Sequence, residues 1–64
     1  MTPTEAIELV GRWPNDRTVP SRLNRAVQAA QGEERQKLGM LFEALMAACE
    51  TAEDVALVGK YFAD

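Results

Sequence analysis

The run from Leu38 to Cys49 constrains the fold more than any other stretch of this chain. Advancing about 100° per residue, the helical period, puts Leu38, Leu41, Phe42, Leu45, Met46, Ala48 and Cys49 on one broad arc. Met40, Ala44 and Ala47 fall nearly opposite, as a second and smaller apolar stripe. A helix that is apolar on two sides is either the central rod of a small bundle or a helix that also meets another molecule. With 64 residues there is little else to cover such a helix.

Size sharpens the problem. A chain this short forms one domain and buries only about 60% of the surface its unfolded form exposes. Small domains offset this with disulfides, metals or oligomerisation. Cys49 is the single cysteine and histidine is absent, so one chain cannot assemble an internal disulfide, a structural zinc site or an iron–sulfur site. The expectation is a well-packed helical core, a homodimer, and no cofactor.

Helix punctuation is dense. Thr2-Pro3-Thr4-Glu5 reads as a capping box with proline at the first helical position. Ala6, Ile7, Leu9, Val10 and Trp13 are expected to share the buried face, and Pro14 to end the helix. Thr18-Val19-Pro20-Ser21 starts a second helix, whose stripe is Val19, Leu23, Ala26, Val27 and Ala30. Gly32 is a natural stop because glycine takes the left-handed conformation cheaply. The acids Glu33 and Glu34 suit the positive end of a third helix. Thr51 caps a fourth, with Glu53 and Asp54 in its first turn. There Ala52, Val55, Val58, Gly59 and Phe62 are expected to face the core, and Leu57 and Tyr61 to face nearly the other way. No strand-like alternation, repeat or linker is present. The prediction is all-α: a compact bundle of three to four short helices over about 3–13, 19–31, 33–49 and 52–62, in a single domain covering 1–64.

Charge and motifs exclude more function classes than they support. The net charge is −3. Arg12, Arg17, Arg22 and Arg25 slightly outweigh the acids of the first half, while the second half is clearly acidic. Non-specific nucleic-acid binders carry a positive excess that this chain lacks. Metal hydrolysis, histidine-based acid–base work and Ser-His or Cys-His catalysis need residues that are missing, and the glycines are scattered singly. An enzyme is therefore not expected. No basic secretory n-region begins the sequence, and the longest apolar run, Ala44 to Cys49, is far too short to span a bilayer. A cytoplasmic protein without membrane contact is expected.

Two binding readings follow. Met40, Ala44 and Ala47, together with Leu57 and Tyr61, are the candidate protein interface. Small residues let another helix approach, and tyrosine is enriched where interfaces concentrate their energy. The expected function is a small protein-interaction module, a steric inhibitor or adaptor on a larger protein partner. Phage and mobile-element accessory proteins are one home for such domains. The second reading rests on Thr18, Val19, Ser21, Arg22 and Asn24, which resemble the recognition helix of LacI-type helix-turn-helix repressors. The resemblance covers about a third of the chain and implies a dimeric DNA-binding regulator, with Ser21, Arg22, Asn24, Arg25 and Gln28 facing the bases. The Trp13-Pro14-Asn15-Asp16 turn and the proline at position 20 depart from that pattern.

Overall fold

The computed structural model describes residues 1–61, and it holds four helices and no strand among them: α1 (Pro3–Val10), α2 (Val19–Ala29), α3 (Gly32–Ala47) and α4 (Ala52–Gly59). The all-α bundle expected from the sequence is the fold. Its Cα radius of gyration is 10.8 Å, against about 10.7 Å for a compact chain of this length. Phe62, placed on the core face of the fourth helix by sequence, lies outside the described residues.

Two of the helices, α1 and α4, start on a side-chain cap, whereas Thr18 and Gln31 make no such bond at the heads of α2 and α3. Thr2 accepts a hydrogen bond from the Glu5 backbone N–H at 3.2 Å, with Pro3 at the head of α1. Thr51 accepts from the Asp54 N–H at 3.1 Å, while the Asp54 carboxylate accepts from the Thr51 N–H at 3.2 Å. That reciprocal pair satisfies donors which the first turn of a helix leaves without an internal partner. Between α2 and α3 the chain turns extended at Ala30 and Gln31, and Gly32 adopts φ +60°. An L side chain is disfavoured at that φ, but Gly32 is the first residue of α3 and not the stop expected for the second helix, which ends at Ala29 ahead of the extended pair.

The helices are shorter than the apolar periodicity implied. The first was expected to reach residue 13. Instead α1 ends at Val10 and the backbone tightens, with Arg12 donating to Leu9 and Trp13 to Val10. Such i→i−3 bonds are the usual way a last turn closes. The Trp13–Pro14 peptide that follows is cis.

α3 is the rod around which the others pack: it contacts α1, α2 and α4, and its Leu38, Phe42 and Leu45 are buried. Ala6, Leu9, Trp13, Val19, Leu23 and Val58 complete the core. Leu41, Met46 and Cys49 are half-buried against it, as the broad arc of α3 requires, but Ala48 at the edge of that arc is exposed. Two further assignments are corrected. Ile7 is 61% exposed, because α1 presents only the narrow Ala6–Leu9 edge to α2 and α3. In α4, Ala52 and Val55 face outward, whereas Leu57, Val58 and Tyr61 turn inward. Residues 54, 57, 58 and 61 share one helix face, and Asp54 anchors that face inward through its polar contacts.

Candidate functional site

The five residues of the expected interface divide into two groups. Met40 is 67% exposed, and Ala44 and Ala47 lie beside it on the outer side of α3. The sequence left open whether this stripe is internal; none of the other helices covers it. Leu57 and Tyr61 differ. Both are half-buried against the core, with the Tyr61 ring centroid 5.9 Å from that of Phe42. Their place on an outward face is corrected by the inward turn of α4. The exposed part of Leu57 still lines a broad depression of about 410 Å³, with Ala56 beside it and Arg17, Glu53 and Lys60 around it. The Lys60 ammonium also lies 5.4 Å from the centre of the Tyr61 ring.

The residues of the helix-turn-helix reading lie on α2. Ser21, Arg22, Arg25 and Gln28 are exposed, and Asn24 is half-buried. Arg22 shares a cleft of about 230 Å³ with Met1, Glu5, Glu8, Leu9 and Arg12. Asp16 feels both Arg12 and Arg22, and its carboxyl is held below the usual range, chiefly by the hydroxyl and then the N–H of Thr18. Three carboxylates thus sit close to the cations that a phosphate would need, and nearby like charge opposes an anionic ligand. The connection between α1 and α2 spans residues 11–18, longer than the 3–4-residue turn of a helix-turn-helix. Pro20 is buried at the head of α2. The connection departs from the helix-turn-helix pattern, while four of the five side chains assigned to it stand exposed on α2.

One constellation was not anticipated. The Trp13 indole N–H donates to the Leu45 carbonyl at 3.1 Å, tying the 11–18 segment to α3. The Arg17 guanidinium carbon stands 4.8 Å from the centre of the Trp13 ring and forms an ion pair with Asp54. Asp54 is buried, and it also accepts from the N–H groups of Glu50 at 2.9 Å and Thr51. These hydrogen bonds, the Glu50 N–H foremost and the Arg17 guanidinium next, hold its carboxyl at about 2, well below the ordinary value of 3.8. The signal that could have found Asp54 is the Thr51-x-x-Asp54 spacing, a capping box that holds the carboxylate at the start of the helix but says nothing of its burial, since Glu5 at the same spacing is exposed. Nothing in the sequence points from Arg17 to a residue 37 positions away.

The rest of the surface offers little chemistry. Cys49 is half-buried and its thiol donates to the Leu45 carbonyl at 3.3 Å, so it behaves as a small packing residue. Among the described residues no group of three His, Cys, Asp or Glu side chains is placed to hold a metal, and no helix is long and apolar enough to cross a membrane. The chain matches no protein-family model, no curated protein and no solved structure.

Proposed function

We propose that this chain is a small, non-enzymatic protein-interaction module of the cytoplasm that works as a homodimer. It acts as a steric inhibitor or adaptor on a larger protein partner. The observation that carries the reading is the outward stripe of α3, in which a methionine 67% exposed stands beside Ala44 and Ala47. Methionine is unbranched and adapts to irregular partner surfaces, and the two alanines let a facing backbone come close. The depression at Leu57 and Ala56, edged by Arg17, Lys60 and Glu53, supplies rim charges that select among partners. Tyr61 contributes through whatever part of its half-buried ring stays accessible.

The test is a double substitution, Met40→Glu with Ala44→Glu, in the full chain. Both positions are exposed, so helicity by circular dichroism is expected to stay unchanged. Self-association, followed by sedimentation equilibrium, and capture of a protein partner from extract are both expected to weaken at least about tenfold, the equivalent of ~1.4 kcal/mol. Unchanged dissociation constants for both would remove this stripe from any interface. Capture that disappears on nuclease treatment would instead favour the α2 face and its Arg22 and Arg25.

A further inference from the structure

We propose that α4 is a latched flap. It releases from α3 as a unit while α1, α2 and α3 stay folded, and the Arg17–Asp54 ion pair is its latch. Three observations converge on this device.

First, among the described residues α4 has the least support of the four helices. It is eight residues long and packs extensively on α3 alone, whereas α1 and α2 pack on α3 and on each other. Val58 is its one fully buried apolar side chain, helped by half-buried Leu57 and Tyr61. Local opening concentrates where few apolar contacts hold an element.

Second, α4 carries its own start. Thr51 and Asp54 close the capping box within residues 51–54, and Asp54 takes in the Glu50 N–H as well. The cap does not depend on α3, so α4 opens as its own unit; once off its seat a helix of eight residues is marginal in water, and its amides lose their protection.

Third, among the described residues the ion pair that ties α4 to a segment outside α3 comes from one side chain. Arg17 reaches Asp54 from the 11–18 segment, braced on the Trp13 ring and by a 3.4 Å hydrogen bond to the Pro14 carbonyl. Asp54 is buried, but the Arg17 side chain is 46% exposed. Salt and solvent reach the latch from the Arg17 side. Releasing it parts Tyr61 from Phe42 and lifts Val58 out of the core, which bares the α4-facing side of α3. The latch and the Met40 stripe involve separate sets of side chains.

Amide hydrogen exchange on the full chain tests it, in the wild type and in Arg17→Gln. In the wild type, the amides of Ala56 to Gly59 are expected to exchange at least about tenfold faster than the slowest amides of α2 and α3. Arg17→Gln is expected to speed the α4 amides by about a further tenfold and to leave those of α2 and α3 within about twofold. Wild-type α4 amides as slow as the slowest in α2 and α3 would overturn the proposal without any variant. So would a substitution that speeds all three helices equally.

Discussion

Replacing Trp13 with phenylalanine tests how this small core is held together. Trp13 is 4% exposed and its indole N–H donates to the Leu45 carbonyl. Phenylalanine keeps an aromatic ring but loses the donor, a net loss of about 1 kcal/mol for a protein hydrogen bond. The acceptor is not orphaned, because the Ala48 N–H at 3.2 Å and the Cys49 thiol also donate to the same carbonyl. The larger penalty for an unsatisfied buried group therefore does not apply. Roughly 40 Å² of buried ring surface disappears, worth about 1 kcal/mol. A cavity of roughly 40 Å³ adds about 1 kcal/mol more if the neighbours do not collapse into it. Together these come to about 3 kcal/mol, against a total stability of about 3–10 kcal/mol for a domain of this length. At about 4–8 °C per kcal/mol for a small domain, the melting temperature should fall by about 12–24 °C. Thermal unfolding followed at 222 nm by circular dichroism measures it directly. A fall of less than about 4 °C would show that the indole is not a structural tie and that the accounting for α3 is mistaken.

Other substitutions are expected to separate backbone effects from packing. Gly32→Ala should lower stability by about 1–2 kcal/mol because φ is +60° there. Gly39→Ala, in the interior of α3 with open space around an added Cβ, should raise it by about 0.5–1 kcal/mol. Melting shifts of the same sign at both sites would contradict this. Leu23→Ala removes a fully buried side chain and should cost about 2–5 kcal/mol, enough to leave much of the chain unfolded at 37 °C by far-ultraviolet dichroism. Since Asp54 titrates at about 2 in the fold instead of 3.8, its contribution is fully present above about pH 4 and disappears as pH falls toward 2. Melting curves of the wild type should decline through that window, and Asp54→Asn should decline less. Asp16, also held low, leaves a residual slope in both proteins, so parallel curves would refute the assignment to Asp54.

Much of the local structure was legible because helix termini are decided by neighbours in sequence. Thr51 and Asp54 close the full capping box; Thr2 caps the Glu5 N–H, but the Glu5 carboxylate takes the Thr2 hydroxyl and not its N–H, and Gly32 opens α3 where a stop was expected. The apolar arc of α3 was legible for a similar reason: Leu38, Phe42 and Leu45 recur at helical spacing and have no competing face. Ile7 and Val55 show where that reasoning stops. Periodicity says that a residue is near an apolar face, while exposure depends on how wide an edge the neighbouring helices cover. For a helix of eight residues carrying apolar residues on both sides, as in α4, periodicity alone is ambiguous. The candidate interface was half legible on the same grounds. Met40, Ala44 and Ala47 oppose the core arc and are exposed, whereas Leu57 and Tyr61 follow Asp54 inward.

The fold class, the starts of the helices and the lack of histidine are all written in the chain itself. These follow from residue chemistry acting over one helical turn or from composition. Packing sets which face of α4 is inward, leaves the Met40 stripe exposed among the described residues, and gathers Trp13, Arg17 and Asp54 into one cluster. The physical reason is separation along the chain. Arg17 meets Asp54 across 37 positions and Trp13 meets Leu45 across 32, and such pairs exist only after α3 has been packed from several sides.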